Sequence, residues 1–443
     1  MSIDQRDWAF PTFKARFEHA ARDLARDEET PHLARLTLTE RTYERWLSGA
    51  VRPNPDARRV LSHLFDHPIE ALLASAPVTD ADISTEVPHA QHNVGPGVDM
   101  DEMRRKAAMA ANRALRYAVM AESQTLGSET LDHIHEEVAR IARAYPRVPL
   151  HDILGDLVEV QDLTFPVLEA NRASPAQSRD LHLYAAMSAG MLAKASHDLA
   201  DPRAAMMQAP AAYVYADKAG HGRMCAWTRG LQSLISYWAG RPADAAAYAA
   251  RGSASLTVPA GTVTVWLASL EARAHAVLGE AQKAHEAVRK ATEVRDTAES
   301  DDLDEVGGIF VFPRPRQAYY GVEAAVLLGE ATGDVERDAV EAVRAYRTAK
   351  SEAPDEWAFG DEAGACTNLA IVRIGRGDVE GASEAVQPVL ELPPSQHNAG
   401  IVISARRVHS ALSHSSVRTA ARARELRGHL ELFTATTTPS LAR

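Results

Sequence analysis

The chain has 443 residues, 46% of them hydrophobic, and a formal net charge of −12. That length leaves room for two or three domains, and the acidic balance excludes a surface that attracts nucleic acid or anionic membrane over most of its extent. Ala, Leu, Glu and Arg, all good helix formers, are abundant and β-branched runs are few, so the expected fold class is all-α. The opening MSIDQRDW lacks the apolar stretch of a signal peptide. No apolar run approaches the ~20 residues of a membrane span, so a cytoplasmic protein without membrane contact is expected. Cys225 and Cys366 stand alone, without the CxxC of a zinc ribbon or redox pair, and are expected as buried small hydrophobes.

Residues 1–76 form the first expected domain. Phe13, Phe17, Ala21 and Leu24 make a helical stripe. Residues 36–53, LTLTERTYERWLSGAVRP, then predict a short helix. Thr39 can cap its first turn, and Gly49 suits the left-handed position just past its end. Leu38, Tyr43, Trp46 and Leu47 can bury, which turns Glu40, Arg41 and Arg45 outward. A capped helix with a projecting polar first turn is the shape that enters a major groove.

These residues resemble the second half of an XRE/Cro-type helix-turn-helix. The family's cap, paired polar positions, buried aromatic, Gly and Pro fall on Thr39, Glu40-Arg41, Thr42, Tyr43, Glu44-Arg45, Trp46, Gly49 and Pro53. The resemblance implies base reading by Thr39, Glu40, Arg41, Thr42 and Arg45. It places Arg52, Asn54, Arg58 and Arg59 near phosphates. It also makes residues 56–73 the closing helices. Residues 1–75 carry eleven Lys/Arg against twelve Asp/Glu, and residues 30–63 carry six against three. The basic character is therefore confined to the motif. PHLARL, residues 31–36, stands where the family has an Ala-rich scanning helix.

Residues 77–100 hold Pro77 and Pro88, a GPG at 95–97 and little periodicity, and are expected as a linker. Helical texture then fills a second domain, 101–436, before a tail at 437–443. Helices are expected over 103–122, 129–145 and 150–170, with a pair over 180–220 bent near Asp201-Pro202. Four later pairs share a Gly at the bend: Gly240, Gly279, Gly333 and Gly377, at spacings of 39, 54 and 44. Small residues follow five or six positions later, at Ala245, Ala284, Ala339 and Ala382, and small or apolar ones recur nine after the Gly, at Ala249, Val288, Ala342 and Val386. Two helices approach closely only where side chains are small, and Gly permits the tight bend between them. The pattern resembles tetratricopeptide-type repeats of about 34 residues, here irregular. An α-solenoid with a concave binding face is expected. The two parts together resemble a group of actinobacterial cytoplasmic regulators.

Between repeat pairs, residues 301–321 (DDLDEVGGIFVFPRPRQAYYG) interrupt the helical texture. Phe310, Phe312, Arg314, Arg316, Tyr319 and Tyr320 are candidates for an effector pocket, the arginines for a carboxylate or phosphate. The alternative is a structural plug of aromatic side chains filling the gap, and the sequence favours it. Trp227, Leu231, Leu234 and Trp238 follow helical spacing as core, with Arg229 a further candidate beside them. The two histidines of DHIHE, 132–136, sit two apart on a helix and point to different sides, so no metal site is expected. GxSxG, P-loop and GxGxxG motifs are absent. No enzyme activity and no cofactor are expected.

The expected function is a transcriptional regulator that binds double-stranded DNA as a homodimer. Its repeat domain would bind a peptide, a small effector or a protein partner. The alternative is a protein-interaction scaffold with a degenerate helix-turn-helix.

Overall fold

A computed structural model describes residues 10–27, 30, 32–39, 42–43, 46, 53–65, 127–170, 173–256 and 261–435. The expected linker, the helix over 103–122 and the tail lie outside the described residues. Every regular element among the described residues is helical, so the fold is all-α. The chain divides into two compact units, Met1–Gly97 and Val98–Arg443.

The first unit contains α1 (Phe10–Asp27), one 3-10 turn (Leu33–Arg35) and α2 (Pro55–Phe65). PHLARL thus supplies a single turn rather than a helix. Phe13, Phe17, Ala21 and Leu24 fall on one face of α1 and are buried with Leu33, Leu38, Tyr43, Val60 and Leu61. The Phe13 ring lies 4.7 Å from that of Tyr43, and Phe17 lies 6.0 Å from Trp46. At Thr39 the chain turns helical: its carbonyl accepts the N–H groups of Thr42 and Tyr43 at 3.0 Å.

The second unit alternates longer helices. They are α3 (Ser128–Ala144), α4 (Leu150–Glu169), α5 (Pro175–Asp198), α6 (Pro202–Lys218), α7 (Gly222–Trp238), α8 (Pro242–Ser255), α9 (Thr262–Val277) and α10 (Ala281–Thr297). The short α11 (Asp302–Val306) and a 3-10 turn (Gly308–Phe310) precede α12 (Arg314–Leu327). There follow α13 (Gly333–Glu352), α14 (Phe359–Gly375), α15 (Val379–Leu390), α16 (Ala399–His414) and α17 (Ala421–Ala435).

Consecutive helices pack as pairs, the solenoid-like pattern expected. The first members α3, α5, α7, α9, α12, α14 and α16 also pack on one another in that order, and α16 packs back on α5. The inner layer therefore meets itself. Two of the outer helices bury a stripe made of Ala alone: Ala205, Ala209, Ala212 and Ala216 on α6, and Ala284, Ala287 and Ala291 on α10. These stripes have the spacing of one helix face, and short side chains let the pairs close tightly. Inner helices come closer still at glycines. A Cβ on Gly190 of α5 would stand 2.7 Å from the Trp227 ring, one on Gly230 of α7 2.6 Å from Trp266, and one on Gly364 of α14 2.5 Å from Tyr319. Each glycine seats an aromatic ring from a neighbouring inner helix.

Six joints share one geometry. Ala200, Gly220, Gly240, Gly279, Gly329 and Gly377 have positive φ. The N–H of each bonds three residues back and that of the following residue five back, as in Gly240 to Tyr237 and Arg241 to Ser236. This is the Schellman end of a helix. The expected turn residue Gly333 is not one of them. It is the first residue of α13, behind the Thr332 hydroxyl that accepts the Val335 N–H, and Gly329 makes the bend. Ala339 and Ala342 are still buried, because they lie on the stripe of α13 whichever glycine starts the turn. The 301–321 interruption is also shorter than expected, since Tyr319 and Tyr320 belong to α12.

Ala200 is the one non-glycine at positive φ among the described residues, and the left-handed conformation costs an L-residue roughly 1–2 kcal/mol. Ala200→Gly is expected to raise stability by about 0.5–1 kcal/mol, less than the full strain because glycine gains unfolded-state entropy. Gly279 has φ +72° and open space around a would-be Cβ. Gly279→Ala should therefore lower stability by about 1 kcal/mol through the backbone alone. Urea unfolding midpoints at unchanged slope check both.

Candidate functional site

In the first unit, Thr39 is exposed and Thr42 half-buried, their hydroxyls 2.8 Å apart. Glu40, Arg41, Arg45 and Arg52 lie outside the described residues. Asn54 is engaged as the cap of α2, its Oδ1 accepting the Ala57 N–H at 2.8 Å. The Arg58 Nε donates to the Pro53 carbonyl at 2.7 Å, so this arginine braces the same turn. Arg59 is exposed.

The second unit holds an open-sided cavity of about 290 Å³, at the small end of the ~300–1,000 Å³ of small-molecule sites. Its wall comes from the inner helices: Trp227, Leu231, Leu234 and Trp238 of α7, Trp266 and Arg273 of α9, and Arg316, Tyr319 and Tyr320 of α12, with polar groups from α5, α14 and α16. The α7 stripe is core, as expected, and its edge also lines the cavity. Three of the proposed effector residues, Arg316, Tyr319 and Tyr320, come together here. The other four do not. Phe310 is buried 4.8 Å from the Trp227 ring, and Phe312 5.3 Å from Tyr320, so both act as the expected plug behind the wall. Gly308 holds that plug against α3, where a Cβ would meet the Ala142 carbonyl. Arg229 instead stacks on Tyr213 at 3.8 Å and donates to Gln232. Arg314 is exposed at a separate groove shared with Arg295.

Behind the cavity sits a charged cluster. The Arg273 Nε lies 2.9 Å from Glu323 Oε2, and both side chains are 1% exposed. The guanidinium lies 4.1 Å from the Tyr237 and Tyr320 ring centroids, an arrangement that favours a cation on the π-faces. Arg407 donates to Glu323 Oε1 at 2.6 Å and to the Tyr237 hydroxyl at 2.8 Å. That hydroxyl in turn donates to Glu323 Oε1 at 2.8 Å. Nη1 and Nη2 of Arg273 are buried without a hydrogen-bond partner. Burial pushes the Glu323 carboxyl up, but Arg273, Arg407 and Tyr237 outweigh it and hold the group below the usual carboxylate range. Burial and the Glu323 charge push Tyr237 up to about 12.

Two further ion pairs line the wall. Lys194 Nζ meets both Asp198 oxygens, at 2.5 and 2.6 Å, and the Tyr145 hydroxyl donates to the same carboxylate. Arg316 Nε donates to Asp361. His197 is held neutral: burial, with Lys194 and Arg273 nearby and only Asp198 opposing, lowers its pKa to about 4. Cys225 and Cys366 are buried, and burial lifts their thiols to about 11 and about 12. Among the described residues no three His, Cys, Asp or Glu side chains converge as metal ligands.

Sequence reasoning missed Arg273, Glu323, Arg407, His197 and Trp266. One signal was present: Arg273 shares a helical face with Trp266 and Leu270 at i, i+4, i+7, a charge inside an apolar stripe. Comparison with protein-family models and with curated proteins gives no match.

Glu323→Ala strands the buried Arg273 and should cost about 3–5 kcal/mol. Arg273→Met together with Glu323→Met removes both buried charges and should recover most of that loss, since Arg407 is 29% exposed and can hydrate. A double-mutant cycle by denaturant unfolding measures the coupling.

For His197 the folded pKa lies below the ordinary value of 6.5. Its contribution is therefore complete at neutral pH and is lost as pH falls toward 4, where the unfolded chain takes the proton first. His197→Leu should lose on the order of 3 kcal/mol less stability than the parent between roughly pH 7 and pH 4, read from unfolding curves at each pH.

Proposed function

We propose that the chain is a cytoplasmic DNA-binding transcriptional regulator whose repeat unit supplies dimer contacts and holds an effector. The observation that carries the proposal is the motif at residues 39–53. A cap at Thr39 and anchors at Leu38, Tyr43 and Trp46 on the first unit's own hydrophobic core support it, and in the sequence pattern Glu40, Arg41 and Arg45 are the polar positions between the anchors. Arg can bond guanine in bidentate fashion and Glu can accept from cytosine. One such module buries little DNA, which favours a dimer on paired half-sites. Support for the effector is the open-sided cavity with its aromatic wall. No helix of the described residues is long and apolar enough to cross a membrane.

A second role, a protein-interaction scaffold, is favoured by charge: eleven basic against twelve acidic residues over 1–75 make a weak footprint for a duplex. Recovery of one protein partner after nuclease treatment, unchanged by Arg41→Ala and Arg45→Ala, would select it.

The regulator predicts that Arg41→Ala loses about tenfold in discrimination between operator and random DNA. Arg52→Ala should weaken all sequences alike and reduce the slope of log affinity against log salt by about one. Fluorescence anisotropy of the full chain on genomic fragments at several salt concentrations reads both. A purified dimer with no salt-dependent binding to any fragment would end the proposal.

A further inference from the structure

The inner helices carry an imbalance of charge. Lys194, Arg273 and Arg316 line the cavity with Asp198 and Asp361, and the cluster behind adds Arg407 and Glu323. Four cations thus face three carboxylates. Two pairs are matched, Lys194 with Asp198 and Arg316 with Asp361. The surplus falls on Glu323, one carboxylate shared by Arg273 and Arg407. Arg407 reaches solvent, at 29% exposed, and Arg273 does not, at 1%. Glu323 is thus the one carboxylate matched to the buried Arg273 guanidinium at the cavity wall, it is shared with Arg407, and both Nη nitrogens of Arg273 lack hydrogen-bond partners. Buried donors without a partner are costly, and an anion that reaches them from the cavity would relieve that cost. The rest of the wall, Trp227, Leu231, Leu234, Trp238 and Trp266, offers ring faces and methyl groups to an apolar body.

We propose that this cavity binds a small amphiphilic anion, one acidic group on an apolar ring-bearing or acyl body. The acid takes the free Nη groups of Arg273, as charge-assisted hydrogen bonds shorter and stronger than neutral ones. The body lies along the tryptophans. A cationic head on the ligand is disfavoured because the wall already carries Lys194, Arg273 and Arg316. The node that receives the acid joins α7, α9, α12 and α16, so the occupant bears on the contact between early and late helices. The proposal deepens the effector half of the regulator, and its test needs no DNA. Failure here leaves duplex binding untouched, and failure of duplex binding leaves this site untouched.

The test uses the full chain and three carboxylates of growing body, phenylacetate, phenylbutyrate and pyrenebutyrate. Phenylbutanol and phenylbutylamine are the uncharged and cationic matches to the second. Tryptophan fluorescence and melting temperature are followed in titrations up to about 1 mM, where binding is still measurable at ~4 kcal/mol. At least one carboxylate should change the emission and raise the melting temperature. The alcohol and amine should bind at least about tenfold more weakly than phenylbutyrate. The double variant Arg273→Met with Glu323→Met should lose the preference for the carboxylate. If that variant fails to fold, the charge series on the parent chain still decides. Equal binding of acid, alcohol and amine, silence of all three carboxylates, or an unchanged preference in the folded double variant would overturn the proposal.

Discussion

The Glu323 carboxylate is the interaction on which the second unit turns. It sits on α12, takes Arg273 from α9 and Arg407 from α16, and accepts from Tyr237 on α7. Tyr237 and Arg407 are 170 residues apart in sequence, so this node ties the middle of the second unit to its late helices. Buried ion pairs are poor sources of net stability, because desolvating the partners offsets most of the attraction. They are effective at selecting one arrangement, since any other leaves a charge unmatched. The node works here only because the surroundings are dry and close. Glycines at 190, 230 and 364 admit rings between inner helices, and Ala stripes bring the outer layer tight against them. Larger residues at those places would spread the helices and let water screen the pair.

The cavity follows from the same packing. Flat indole and phenyl rings tilted against one another between helices leave space that methyl groups would fill. The Trp227 ring is wedged between Gly190, Trp266 and Phe310, and cannot swing inward. The plug at 307–312 holds Phe310 and Phe312 behind the wall, pinned to α3 by the Arg143 bond to the Val306 carbonyl. The void is therefore braced from outside rather than left by poor packing, a distinction that separates a preformed site from a defect.

Much of this was legible because it depends on local pattern. The stripe Phe13, Phe17, Ala21, Leu24, the start at Thr39, and the small residues Ala245, Ala284 and Ala382 are each a period or a cap read within one turn. Ala200 was not legible as a bend residue, because nothing in its side chain announces a left-handed backbone, and its structural equivalence to Gly220 and Gly240 emerges only from the shared hydrogen bonds. Gly333 misled for the opposite reason: two glycines four residues apart both suit a bend, and the Thr332 cap assigns the second to a helix start. The charged node was hidden by distance. Arg273 and Glu323 lie 50 residues apart in sequence, and a lone Glu in an Ala-rich helix has the look of a surface residue until its partner is seen. Arg229 and Arg314 attracted notice by their aromatic neighbours, yet their helices turn them away from the centre.

The return of α16 onto α5 has a consequence for how this architecture can change. An open superhelix tolerates the gain or loss of whole units, since each added pair merely lengthens the spiral. A ring whose last member must meet an early one has a fixed circumference. An extra pair would carry Arg407 past its mates, and a missing pair would leave it short. Variation of such a chain is thus confined to the outer helices, the loops and the ends, while the number of units stays locked by the seam.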